Sequence, residues 1–118
     1  MHEYGLCEGI LDAVRARAGG RPVAWVRIRA GARHGVDVEA MAQAFSVVAA
    51  GTEAADASLD LVPVPVRLHC RTCGGDSETH DLLAICPRCD GDDVELTGGE
   101  ELTLESLGYA VPPLTLST

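Results

Sequence analysis

With 118 residues, the chain is one ordinary domain or one small domain carrying a smaller module. Nearly half of it is apolar but only 3% is aromatic, so any core is thin and built from Leu, Val, Ile and Ala. The formal charge is −9 and every basic residue is an arginine, which argues against a polyanion partner, because phosphate binding draws on clustered Lys and Arg.

Residues 4–18 carry apolar side chains at helical spacing: Leu6, Ile10 and Val14, with Cys7 and Leu11 beside them. Gly19 and Gly20 stop this helix, and Pro22 confirms the break. Residues 23–29 alternate as a half-buried strand does, Ala24, Val26 and Ile28 against Trp25, Arg27 and Arg29. A Gly-rich turn over 30–36 leads to Asp37, placed to cap a second helix that runs to about Ala50. The buried stripe of that helix is Met41, Phe45 and Val48, and Gly51 suits its C-cap. A second strand around Leu59 and Leu61 is expected to end where Pro63 and Pro65 forbid regular pairing inside a sheet. From Val66 to Leu96, Cys, Gly and Asp replace the long apolar periodicity, so this stretch reads as an inserted module. Alternation returns after Gly98 and Gly99, with Leu102 and Leu104 against Glu101, Thr103 and Glu105. The tail from Ala110, with Pro112 and Pro113, is expected to be disordered.

The N-terminus has neither the basic region nor the apolar stretch of a signal peptide. No apolar run approaches the ~18 residues of a membrane span, so a soluble, cytoplasmic protein is expected. In a reducing cytosol, five cysteines point to metal or catalysis before disulfides. Four of them form two knuckles, Cys70-x2-Cys73 and Cys86-Pro-x-Cys89, separated by twelve residues. Two facing knuckles offer one ion a closed tetrahedral set of sulfurs, which zinc accepts without redox chemistry. Iron in a rubredoxin-like site and a redox dithiol are the rival uses. A closed set leaves no open position for substrate, so its expected role is to fold the module. His69 and His80 read as solvated bystanders, and Cys7 as a small buried hydrophobe.

Position 2 is a histidine, which is too large for methionine aminopeptidases, so Met1 is expected to stay. The Met1 amine, the His2 amide nitrogen and the His2 imidazole can form fused chelate rings of the near-planar kind that suits Ni(II) or Cu(II). Glu3 would add an oxygen donor or orient the imidazole. Taken alone, a histidine beside a chain end is more often no ligand.

The opening Met1-His2-Glu3, with Leu6 on the helix that follows, resembles the HypA family of nickel-insertion accessory proteins for [NiFe] hydrogenase. The resemblance continues through Gly35-Val36-Asp37, Ala44-Phe45, Gly51-Thr52 and Ala57-x-Leu59, then the two knuckles, then Gly99-x-Glu101-Leu102. Paired knuckles are common to many ribbons, whereas the Met-His-Glu start in the same chain is far more specific. The resemblance implies an α+β fold, two helices on a small three-stranded sheet with a four-cysteine zinc ribbon inserted before the last strand. On that reading 1–65 plus 97–109 form the nickel domain, 66–96 the zinc ribbon and 110–118 the tail. His2 and Glu3 belong to the nickel site, joined by the Met1 amine. Asp37 aligns with an acidic residue near that site in some members, and its helix-cap role explains it equally well. His34, in the turn before the second helix, is an extra donor or a bystander.

The implied activity is that of a metallochaperone and not an enzyme: nickel is carried, zinc is structural. The implied partners are a HypB-like GTPase and the hydrogenase large subunit, with no nucleic acid and no membrane. The alternative is a zinc-ribbon interaction or nucleic-acid-binding module without a nickel role. The acidic balance opposes it, since only Arg67, Arg71 and Arg88 flank the knuckles. An enzyme with a catalytic metal finds no base–nucleophile constellation to support it.

Overall fold

The computed structural model describes residues 2–111. Helix α1 (His2–Ala18) turns Cys7, Ile10, Leu11 and Val14 inward as their spacing predicts, with Ala18 added and Leu6, expected in the same stripe, only half-buried. It starts two residues before the apolar periodicity does, so His2 and Glu3 lie in its first turn. Strand β1 (Val23–Gly31) buries Val26, Ile28 and Ala30 and turns Trp25 and Arg27 to solvent. A single 3-10 turn (Ala32–His34) follows, closed by Gly35 in the left-handed region at φ 57.

Helix α2 (Val38–Val48) buries Met41, Ala44 and Phe45 and packs against α1. At that contact the Cys7 sulfur lies 3.5 Å from the Met41 carbonyl oxygen and 3.9 Å from the Met41 sulfur. Burial, reinforced by the charge of Glu3, pushes the Cys7 thiol up to about 11. It is a protonated core residue, as its place on the helix stripe suggested.

Strand β2 (Ser58–Val64) ends between Pro63 and Pro65, where the sequence placed its end, yet it keeps Pro63 as a strand residue. The reason is its position. In the sheet ordered β2-β1-β6, with β6 at Leu102–Tyr109, β2 is an edge, where a missing N–H is tolerated. Pro65 makes the break before β3 (Val66–Cys70).

The inserted stretch has a sheet of its own. Strands β4 (Asp76–Thr79) and β5 (Val94–Thr97) flank β3, both antiparallel to it, in the order β4-β3-β5. Leu68 is paired with Ser77 on one side and Leu96 on the other, and Cys70 faces Val94. Val66, Leu68 and Cys70 point inward while Arg67 and His69 point out, a period of two over only five residues.

By contacts the chain forms two compact units, one from Met1–Arg27, Val38–Asp60 and Leu104–Thr118, the other from Ile28–Asp37 and Leu61–Thr103. Within the second, the turn before α2 grips the chain that leaves β5. The Arg33 backbone N–H donates to the Gly99 carbonyl (2.9 Å), and its guanidinium donates to the carbonyls of Gly98 (2.7 Å) and Leu96 (2.8 Å). The His34 ring meets the Glu100 carbonyl at 2.9 Å, and the Gly31 N–H donates to Glu101 at 2.7 Å. Gly31 and Gly99 meet there so closely that a Cβ on Gly31 would fall on the Gly99 carbonyl.

Ala110 donates its N–H to the Pro22 carbonyl at 2.9 Å, and the rest of the expected tail, from residue 112, lies outside the described residues. Among the described residues no helix is long and apolar enough to cross a membrane.

Candidate metal centre

The two knuckles are built alike. In the first, the Gly74 N–H donates to the Cys70 carbonyl (2.8 Å) and the Cys70 N–H donates to the Gly75 carbonyl (3.0 Å). In the second, Asp90 donates to Cys86 (2.9 Å) and Cys86 to Gly91 (2.9 Å). Each turn needs a left-handed residue at its corner, Gly74 at φ 74 and Asp90 at φ 59. Asp90 is the one non-glycine with positive φ among the described residues. Gly75 and Gly91 follow, where a Cβ would press on the sulfurs of Cys73 (3.3 Å) and Cys89 (3.2 Å). The repeat was legible in Cys-x-x-Cys-Gly-Gly against Cys-x-x-Cys-Asp-Gly, although the left-handed role of position 90 was not drawn from it.

Relieving that corner is expected to stabilise the chain. Asp90→Gly should raise unfolding free energy by about 0.5–1 kcal/mol, and Asp90→Val should lower it by about 1 kcal/mol or more. Thermal melts of the metal-loaded variants check this, and a glycine variant no more stable than the parent would count against it.

All four sulfurs lie within 4.8 Å of one another, with Cys70–Cys89 and Cys73–Cys86 each at 3.6 Å. A tetrahedral tetrathiolate with bonds of about 2.3 Å needs sulfurs roughly 3.8 Å apart, so the cage fits such an ion. Cys70 and Cys86 are buried, Cys73 and Cys89 exposed. The N–H groups of Cys73 and Thr72 hold the Cys70 thiol down to about 6, and those of Cys89 and Arg88 lower Cys86 in the same way. For Cys89 the Gly91 N–H pulls down too, but the sulfur of Cys70, with partial desolvation and the sulfurs of Cys86 and Cys73, outweighs it and pushes the thiol to about 12. Backbone donors thus favour thiolates that the crowded sulfurs cannot all become alone, and a divalent cation resolves the conflict. Among the described residues this is the one group of three or more His, Cys, Asp or Glu donors placed to hold a metal ion.

The N-terminal candidates are arranged differently. His2 and Glu3 are neighbours on the first turn of α1, their Nε2 and Oε2 atoms 3.7 Å apart, with the His2 side chain 57% exposed and that of Glu3 16%. The Met1 amine lies outside the described residues. Asp37 directly precedes α2, and it falls in the compact unit of the ribbon while His2 and Glu3 fall in that of the helices. Of the other histidines, His69 meets the Asp76 carboxylate at 2.8 Å on the outer face of the ribbon sheet, and His80 is exposed.

Comparison with known proteins decides the family. The family described as "Hydrogenase/urease nickel incorporation, metallochaperone, hypA" matches residues 1–109. This chain belongs to the HypA family. It is 37% identical over 111 residues to the hydrogenase maturation factor HypA of Syntrophus aciditrophicus, covering 91% of this chain and 97% of that one. It is 38% identical over 112 residues to the HypA of Rhodopseudomonas palustris strain TIE-1, with the same coverage. The solution structure of the Ni metallochaperone HypA from Helicobacter pylori, 24% identical, superposes with a TM-score of 0.58 over 93% of this chain and 98% of that one, which shows the shared fold. The HypA fold is thus α+β, with two helices, two small three-stranded sheets and a four-cysteine cluster.

Proposed function

We propose that this HypA chain is a nickel metallochaperone for [NiFe] hydrogenase maturation, taking Ni(II) at its N-terminus and holding a structural zinc in the ribbon. The observation that carries the reading is the family match beginning at residue 1, where His2 stands exposed on the first turn of α1. A helix does not need the first-turn N–H groups for its own ladder, so the His2 amide nitrogen can join the imidazole and the terminal amine on one ion. Glu3 lies within reach of the His2 ring and completes or orients the set. Asp37 caps α2 or adds a further oxygen. An exposed site lets an acceptor replace ligands one at a time, which suits a carrier.

Zinc is the resident ion of the ribbon at residues 66–96, because four thiolates in a closed tetrahedron suit it and leave no position for substrate. The chain is a carrier and not an enzyme. Its partners are a HypB-like GTPase and the hydrogenase large subunit, in the cytoplasm.

Calorimetry of Ni(II) into zinc-loaded, untagged protein tests the reading. The parent should bind a single Ni(II), and His2→Ala should weaken it by about 10-fold or more, as should extra residues before Met1. Equal binding by all three would move the nickel to other groups. No binding at all would leave a zinc-dependent interaction module as the account.

A further inference from the structure

The segment joining β4 to the second knuckle has its apolar residues the wrong way round for folding alone. Ala84 packs against the small ribbon core of Leu68, Cys70 and Cys86. The larger aliphatics beside it face solvent: Leu82 is 40% exposed, Leu83 90% and Ile85 51%. A segment shaped only by burial would put leucine or isoleucine inward and leave alanine out.

The outward display is also built, not slack. The Asp81 N–H donates to the Thr79 hydroxyl (3.0 Å), the Leu83 N–H to the Asp81 carboxylate (2.9 Å), and the Ala84 N–H to the Asp81 carbonyl (3.3 Å). These bonds fix the turn that carries Leu82 and Leu83, so little ordering entropy is left for an encounter to cost.

Charge selects what can meet this knob. Between Val66 and Leu96 there are seven Asp and Glu against three Arg, and the pairing of Arg71 with Asp93 and Glu95 leaves five carboxylates against two arginines. A second copy of the ribbon or an anionic bilayer would repel that surface. We propose that the Leu82–Ile85 turn is a docking knob for a protein partner that offers an apolar pocket rimmed by arginine and lysine. The pocket takes Leu83, and its basic rim is drawn by the net negative charge of the ribbon.

The choice of probe rests on the chaperone reading above. Purified HypB-like GTPase and hydrogenase large-subunit precursor are each titrated, at low and at high salt, with zinc-loaded parent, Leu83→Ser and the triple variant Leu82→Ser, Leu83→Ser, Ile85→Ser. Because these side chains are exposed, zinc content and circular dichroism should match the parent. One of the two proteins should bind Leu83→Ser about tenfold or more weakly, lose more with the triple variant, and bind the parent less tightly as salt rises. Unchanged affinity of both proteins for the variants overturns the proposal, as does a parent that binds neither. Self-association of the parent that the triple variant abolishes overturns it in favour of a second copy. Nickel calorimetry on the same samples reports separately whether the chaperone reading stands.

Discussion

Cys70→Ser or Cys86→Ser should melt the β4-β3-β5 sheet while the packing of α1 on α2 survives, and a strong chelator should do the same to the parent. The buried residues of the ribbon core are Leu68, Cys70 and Cys86, with only Ala84, Val94 and Leu96 packed around them. Two of those three buried side chains are sulfurs of the cage, so the core is in large part the metal site. Few apolar groups remain to offset the conformational entropy of ordering the stretch, which costs about 1–2 kcal/mol per residue for the backbone alone. Structural zinc in comparable peptides contributes on the order of 10–16 kcal/mol, far more than this cluster can supply by burial. Serine at the buried positions 70 and 86 should therefore do more damage than serine at the exposed 73 and 89. Amide exchange reads the result directly. Leu68, paired with Ser77 and Leu96, should lose protection in the variants, whereas Ile10 and Phe45 should keep theirs. A metal-free Cys70→Ser chain with Leu68 still protected would show that the ribbon does not need its ion.

The other large effect is expected at Gly31. A Cβ there would land on the carbonyl carbon and oxygen of Gly99, which are backbone atoms with no rotamer to escape by. Gly99 in turn sits at φ 77, and a Cβ on it would fall on the Val66 side chain. Gly31→Ala should cost about 3 kcal/mol or more in denaturant unfolding of zinc-loaded protein. Gly9→Ala is the control. It lies on the exposed side of α1 with nothing near its missing Cβ, and the exchange should stabilise by about 0.5–1 kcal/mol. A Gly31→Ala chain within 1 kcal/mol of the parent would contradict the close approach of these two backbones.

What could be read from the sequence was whatever recurs at a fixed spacing. The stripe of Ile10 and Val14, the alternation of Val26 and Ile28, and the paired knuckles all repeat, and all stand where expected. The first turn of α1 was missed because His2 and Glu3 contribute nothing to an apolar period. That β2 keeps Pro63 inside it was not legible, because tolerance of proline depends on which strand is the edge, a property of the sheet and not of the residue. The ribbon sheet went unseen because β3 shows its alternation over five residues, with a cysteine at one inward position. The grip of Arg33 was invisible for a different reason. Its acceptors are carbonyls of Leu96, Gly98 and Gly99, and every residue has a carbonyl.

The pairing of Arg67 with Thr97 places the entrance and exit of the ribbon side by side. Before the ribbon forms, β6 can join β1 only by closing a long loop from the end of β2. Once the knuckles hold their ion, that span shrinks by roughly three doublings of loop length, a saving of about 2 kcal/mol in closure entropy. The ribbon is thus a molecular shortcut. A chain synthesised without its metal should assemble its final strand late, and metal supply during synthesis would govern how soon the other sheet is complete.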